Sequence, residues 1–151
     1  MHAYNAITWT LKQLQLEISE SMLDEGPAAL AMLRELAARG VRVALDDFGD
    51  GNSSLSAVRN LPVSVLKIDS ACVAGLADND QVKYLVRALI GMGIATSKQV
   101  IAEGVELPQQ MRFLETAGCN AMQELLFAPA MAASELAEFM HAQSKVQSLV
   151  A

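Results

Sequence analysis

Two hydrophobic periodicities alternate along this chain. Short apolar runs, typical of strands buried on both faces of a parallel sheet, are separated by longer segments with apolar residues every three or four positions. The runs predict strands at Leu14–Ile18, Val41–Leu45, Val63–Ile68, Gln99–Ala102 and Ala121–Phe127. The longer segments predict helices at Gly26–Arg39, Asp80–Met92, Pro108–Ala117 and Ser134–Gln143.

Polar residues lie at or just past the C-terminal ends of the predicted strands. The alternation predicts parallel strands with right-handed crossovers, in an open doubly wound sheet or a barrel. The barrel is favoured, because barrel enzymes collect catalytic groups from the ends of many strands, and no glycine-rich phosphate loop typical of an open sheet is present. A complete barrel needs about 250 residues, so the sequence predicts a partial (β/α) barrel with about five parallel strands. The polar residues are Glu17, Glu20, Asp46, Asp47, Lys67, Asp69, Glu103, Glu106 and Gln123.

Composition limits the class of protein. The chain has 151 residues, 52% hydrophobic and 19% charged, which fits one folded domain over residues 1–151 and excludes disorder. A net charge of -6 argues against a DNA duplex as partner. The sequence contains no apolar run long enough to span a bilayer and no signal-peptide pattern, and Cys72 and Cys119 fit core filler in a reducing compartment. We expect a cytoplasmic protein.

The most informative stretch is the apolar run Val43–Leu45, which ends at Asp46 and Asp47. Adjacent carboxylates repel each other unless a cation or hydrogen-bond donors keep both ionised. Hard divalent cations prefer carboxylate oxygens, which Glu17 and Glu103 also offer. Two such metals clamp the attacking and leaving oxygens of a phosphodiester displacement.

Other polar residues fit the same chemistry. Lys67 is suited to hold a hydroxide or a phosphate oxygen as a point charge. Glu103 or Glu106 is suited either to act as general base or to bind metal. These two assignments stay open on the residues alone.

Each residue also has a simpler interpretation. Asp46 fits a helix cap or an Asx turn, Lys67 fits a surface lysine, and Asp69 fits a cap for the segment that begins at Ser70. Glu20 or Glu106, taken alone, fits a solvated carboxylate. The simpler interpretations become weaker when taken together, because chance would not place acids at the same end of nearly every strand.

Several motifs resemble those of the EAL-domain family, over roughly residues 14–140. They are Glu17-Ile18-Ser19-Glu20-Ser21, Ala44-Leu45-Asp46-Asp47-Phe48-Gly49, Leu61-Pro62-Val63, Leu66-Lys67-Ile68-Asp69, Ile101-Ala102-Glu103-Gly104-Val105-Glu106, Gly118-Cys119-Asn120, Gln123 and Leu126-Phe127. The resemblance implies a TIM-like barrel that hydrolyses the bacterial messenger cyclic di-GMP to a linear dinucleotide with Mg²⁺ or Mn²⁺. It also allows for further signalling domains upstream.

The resemblance assigns a role to each matching residue. Glu17, Asp46 and Asp47 resemble the metal-binding acids of the family. Lys67 matches the lysine that holds the catalytic water, and Glu103 matches the metal-linked general base. The remaining matches give Glu20 as the anchor of the loop after the aspartates, Glu106 as a supporting acid, and Asp69 and Gln123 as substrate-binding residues.

Departures from the family pattern affect the expected activity. The Glu-Ala-Leu signature and the asparagine metal ligand are absent, and Asp50 and Asn52 replace the usual threonine and tyrosine. Because removing ligands loosens a metal, we expect weak or undetectable turnover by this chain alone. The alternatives are a degenerate EAL module that binds cyclic di-GMP or a protein partner without turnover, and a folded barrel fragment without a ligand. The open strand edge predicts self-association as a dimer.

Overall fold

A parallel sheet forms the centre of the protein. The computed structural model describes residues 10–49, 55–123, 126, 128–132, 134–136 and 138–139. Five parallel strands pair in the order β1-β2-β3-β4-β5. Their bounds are β1 Gln15–Ile18, β2 Arg42–Phe48, β3 Val65–Ile68, β4 Gln99–Ala102 and β5 Ala121–Met122.

Helices connect the strands. The α-helices are α1 Pro27–Ala38, α2 Leu55–Asn60, α3 Ser70–Ala74, α4 Asp80–Ala95 and α5 Pro108–Ala117, and 3-10 turns cover Leu11–Gln13 and Glu20–Glu25. Proline stands at the first position of α1 and α5, where its missing N–H costs nothing. Asn79 caps α4 by accepting hydrogen bonds from the backbone of Gln81 and Val82. Within the described ranges, no helix has the length and apolar character needed to cross a bilayer.

The two faces of the sheet have different chemistry. One face packs against the helices, and its strand residues Ile18, Leu45 and Ile68 join helix residues such as Leu33 and Ile90 in the core. The opposite face, called here the site face, carries the register partners Glu17, Ala44, Val65 and Gln99. Since side chains alternate along a strand, Lys67 and Glu103 also belong to the site face.

The predicted order of strands and helices is confirmed, with differences at the boundaries. β2 continues to Phe48, so Asp46 and Asp47 lie inside the strand and not after it. α2 and α3 were not predicted, because six and five residues are too few to show a helical period. Residues 134–136 and 138–139 are helical, as predicted for Ser134–Gln143. The predicted fifth strand, Ala121–Phe127, is too long, because β5 ends at Met122 and neither Gln123 nor Leu126 is in a strand. The remainder of the predicted helix, Asp50, Asn52 and residues 124, 125 and 127 lie outside the described residues.

Candidate active site

Three carboxylates converge on one ammonium group at the C-terminal end of the sheet. Lys67 Nζ lies 2.7 Å from Glu17 Oε2, 3.0 Å from Asp46 Oδ1 and 2.7 Å from Glu103 Oε1. The four residues come from β1, β2, β3 and the residue after β4, which are neighbours in the sheet. We call Glu17, Asp46, Lys67 and Glu103 the Lys67 cluster. The sequence predicted that these four residues would come together.

Burial and charge decide the state of Lys67. Its side chain is 5% exposed, so the interpretation as a surface lysine is wrong. Burial alone would lower the pKa of this lysine, but its interactions with the carboxylates of Glu103, Glu17 and Asp46 outweigh burial and raise the pKa above its usual value. The ammonium is therefore charged across the physiological pH range, and its charge is compensated by its neighbours.

A β-bulge sets the direction of the two aspartates. Leu45 pairs with Leu66 and Phe48 pairs with Ile68. Between these two pairs, β2 has one residue more than β3, which makes a bulge in β2. Asp47 adopts a φ of 54°, a left-handed conformation that asparagine and aspartate tolerate better than most residues. Because of the extra residue, Phe48 is in the core with Leu45 while Asp46 reaches Lys67. Asp47 is exposed at the same end of the sheet.

Glu103 is held by the backbone on both sides. Its N–H donates to Ile68 O at 3.1 Å, which continues the pairing of β4 with β3. The next residue, Gly104, has a φ of 70°, and a Cβ there would lie 2.7 Å from Ser70 Cβ. Glycine is thus required both by conformation and by the close approach of the loop to α3. This approach keeps the Glu103 side chain, 21% exposed, beside Lys67.

The structure also places the other predicted residues. Asp69 Oδ1 accepts a hydrogen bond from Ala71 N at 2.8 Å, so its interpretation as a helix cap is confirmed. Glu20 starts the 3-10 turn after β1, and its Oε1 is buried. Glu106 is exposed, and its carboxylate makes no ion pair in the part of the chain that the structure describes. Gln123 is exposed and donates its N–H to Ala102 O at 2.9 Å.

One buried polar residue was missed. Gln110 is 3% exposed, and its Oε1 accepts hydrogen bonds from the N–H groups of Glu106 and Leu107. The signal was present in the sequence, because glutamine three positions after a helix cap is typical of a side chain that folds back to the cap. The signal was easy to overlook, because the cap residue Leu107 is apolar and cannot accept a hydrogen bond through its side chain.

The donor chemistry of the Lys67 cluster fits a hard divalent cation. Glu17, Asp46 and Glu103 bring carboxylate oxygens within 3.0 Å of one point. Oδ1 of Asp46 is buried with an ion pair but no aligned hydrogen bond, so its lone pairs can accept a cation. Among the described residues no group of three ligands already surrounds a metal position, because the Lys67 ammonium lies between the acids. A metal therefore binds here only if the lysine contacts rearrange.

The family follows from comparison with known proteins. The sequence profile of the EAL domain matches residues 3–130, and the chain belongs to the EAL-domain family. It is 39% identical over 124 residues to the bifunctional diguanylate cyclase/cyclic di-GMP phosphodiesterase MucR of Pseudomonas aeruginosa. It is 38% identical over 121 residues to the cyclic di-GMP phosphodiesterase PdeR of Escherichia coli K12. These matches cover 82% and 80% of this chain but only 18% of each relative.

Solved structures have the same fold. The MucR phosphodiesterase in complex with cyclic di-GMP superposes with a TM-score of 0.77 at 37% identity, covering 83% of this chain and 51% of that chain. A calcium and cyclic di-GMP complex of BlrP1 from Klebsiella pneumoniae has a TM-score of 0.73 at 25% identity, covering 80% and 31%. The predicted class, a parallel sheet of the EAL type of TIM-like barrel, is confirmed.

Proposed function

We propose that this chain carries part of the active site of a cyclic di-GMP phosphodiesterase, which hydrolyses the cyclic dinucleotide to linear pGpG. The observation that carries the proposal is the convergence of Glu17, Asp46 and Glu103 on Lys67 at the carboxyl edge of the sheet. Relatives of the same family are phosphodiesterases for this substrate, and one solved relative holds it. The chain spans about a sixth of its curated relatives and about half of the MucR phosphodiesterase chain.

The metal in this proposal is Mg²⁺ or Mn²⁺, held by Glu17, Asp46, Asp47 and Glu103. A bound divalent cation stabilises negative charge on the phosphodiester and makes water a better nucleophile. The support for these ligands is their oxygen chemistry and their position at one end of neighbouring strands. The calcium complex of BlrP1 is consistent with cation binding in this fold.

The protein groups have separate tasks. The Lys67 ammonium, charged and largely shielded from solvent, donates hydrogen bonds to the oxygen of the attacking water or of the phosphate. Glu103 accepts the proton of that water as general base, since it lies beside Lys67 and is only partly exposed. Asp69 and Gln123 contact the substrate at the rim, and Glu20 and Glu106 support the loops.

The second candidate is an EAL module that binds cyclic di-GMP or a protein partner without turnover. One observation favours it. Glu17, Asp46 and Glu103 are all engaged by Lys67, and no three acids among the described residues are grouped in the way that a metal site requires. We further propose a cytoplasmic dimer. The dimer is supported by the exposed Leu16 in the edge strand β1 and the exposed Leu14 just before it.

One set of measurements separates the candidates. Calorimetry with Mn²⁺ and cyclic di-GMP, followed by chromatography for pGpG, is carried out on the chain and on Glu103→Gln. Glu115→Gln is the matched control, because Glu115 is an exposed acid on α5. Weak hydrolysis that only Glu103→Gln abolishes supports the phosphodiesterase. Binding of cyclic di-GMP without hydrolysis supports the second candidate. Absence of binding contradicts the phosphodiesterase and leaves of the second candidate only the module that binds a protein partner.

A further inference from the structure

The Gln110 carboxamide connects two segments of the chain through three hydrogen bonds. Oε1 accepts from Glu106 N and from Leu107 N, both at 2.9 Å, and Nε2 donates to Val73 O at 3.1 Å. The side chain is almost completely buried. Burying an amide is unfavourable unless its polar atoms are paired, and here both the oxygen and the nitrogen have partners.

The two connected segments directly follow Lys67 and Glu103, which form an ion pair at the site. Val73 lies in α3, which begins two residues after Ile68, the end of the strand that carries Lys67. Glu106 and Leu107 end the loop that starts at Glu103. Gln110 therefore links the segment after Lys67 to the segment after Glu103, at the opposite end of the loop from their 2.7 Å ion pair.

This loop needs a second attachment. At its start, Gly104 in a left-handed conformation lies against Ser70. At its end, the cap residue Leu107 has no side-chain acceptor and Pro108 has no N–H. Without Gln110, the N–H groups of Glu106 and Leu107 would lose their protein partner, and the end of the loop would lose its link to α3.

We propose that Gln110 is a positioning residue, which fixes the loop 103–107 against α3 and thereby sets the position from which the Glu103 carboxylate binds metal. The inference rests on the proposed metal-binding function of Glu103. None of these three hydrogen bonds of Gln110 is to a member of the Lys67 cluster, so its effect passes through the backbone of the loop. Residues that orient metal ligands commonly change metal affinity by about 10–100-fold when they are replaced.

The first test is the affinity for Mn²⁺, measured by calorimetry well below the melting temperature of each variant. Gln110→Leu removes all three hydrogen bonds, and Gln110→Glu keeps acceptor oxygens but loses the donor to Val73 O. The matched control is Gln109→Leu, the exposed neighbour on the same helix. We expect Mn²⁺ affinity to fall about tenfold in the Gln110 variants and to be unchanged in Gln109→Leu. If Gln110→Leu fails to fold, Gln110→Glu alone decides.

A double-mutant cycle identifies the path of the effect. If Gln110 acts through Glu103, its replacement costs no further affinity in the background Glu103→Gln. The same replacement keeps its full cost in the background Glu17→Gln, because Glu17 lies on a different strand. Equal costs in both backgrounds would contradict the proposal.

The outcomes separate this inference from the function on which it rests. If the parent chain binds no Mn²⁺, the proposed metal site is wrong and this inference is wrong with it. If the parent chain binds Mn²⁺ and the folded Gln110 variants bind it equally well, only the positioning role is wrong. If the Gln110 variants have a lower melting temperature but unchanged Mn²⁺ affinity, the positioning role is also wrong, because Gln110 then contributes only to the stability of the fold.

Discussion

Lys67 and Glu103 form a 2.7 Å ion pair that joins the carboxyl ends of the adjacent strands β3 and β4. Lys67 is 5% exposed and Glu103 is 21% exposed, so solvent screens this pair much less than a surface pair. The ammonium also separates Glu103 from Glu17 and Asp46, which would otherwise repel it. Lys67 thus acts as the resident cation among these three acids.

Replacing this resident cation tests its structural role. We expect Lys67→Met to lower the free energy of unfolding by about 3 kcal/mol, because the acids are left partly buried without their partner. Saturating Mn²⁺ is expected to restore most of the loss, since it takes over the compensating charge. Urea unfolding with and without Mn²⁺ measures both effects. Lys83→Met, which removes an exposed pair with Asp80, is the control and changes little.

The stability contributed by Lys67 depends on pH in the alkaline range. Its folded pKa is raised above the unfolded value of about 10.4. A raised pKa means that the folded state holds the proton more tightly, so the contribution is complete below pH about 10 and is lost as pH rises further. The difference in unfolding free energy between the parent chain and Lys67→Met should therefore be constant from pH 8 to 10 and shrink above it. A difference that grows with pH would contradict the assignment.

Two glycines give opposite predictions for the same substitution. Gly104→Ala should destabilise the protein by at least 1–2 kcal/mol, roughly the cost of a left-handed conformation, and the Cβ would also collide with Ser70. Gly91→Ala should stabilise it by about 0.5–1 kcal/mol, because a Cβ on this residue of α4 meets no atom within 4 Å. Thermal unfolding of both variants provides the comparison. A stabilised Gly104→Ala variant would show that the loop does not approach α3 as described.

Metal binding should also appear as thermal stabilisation. A ligand that binds only the folded state at a hundred times its dissociation constant adds about 2.7 kcal/mol. We expect the melting temperature to rise with the logarithm of Mn²⁺ or Mg²⁺ concentration, and to rise less in Asp46→Asn. Calorimetric scans from micromolar to millimolar metal test this. An unchanged melting temperature at millimolar metal would rule out a metal site in this chain.

The sequence was sufficient to predict which strands exist and which residues come together at their ends. The reason is local: an apolar run followed by acids is visible in Val43–Asp47 without any tertiary information. The face of the sheet on which each residue lies was harder to predict from the sequence. The bulge at Asp46 and Asp47 depends on the pairing of β2 with β3, and only this pairing explains why Phe48 is in the core.

The support around the site was also hidden from sequence reasoning. Gln110 hydrogen-bonds to Val73, which is 37 positions away, and no local pattern indicates such a partner. Asp69 shows the converse case, because its cap bond spans two residues and the sequence did suggest it. Local hydrogen bonds can be predicted from neighbours, whereas a distant partner requires the fold.

The division of β3 into two alternating sets of residues has a practical consequence for protein engineering. Leu66 and Ile68 are packed among helix residues, while Val65 and Lys67 belong to the site face. The same alternation holds for β4, where Val100 and Ala102 are core residues and Gln99 and Ile101 are not. A combinatorial library restricted to the partly exposed residues Gln99 and Ile101 would therefore search for new chemistry on an unchanged scaffold. Val65 and Lys67 are buried and stay fixed in such a library.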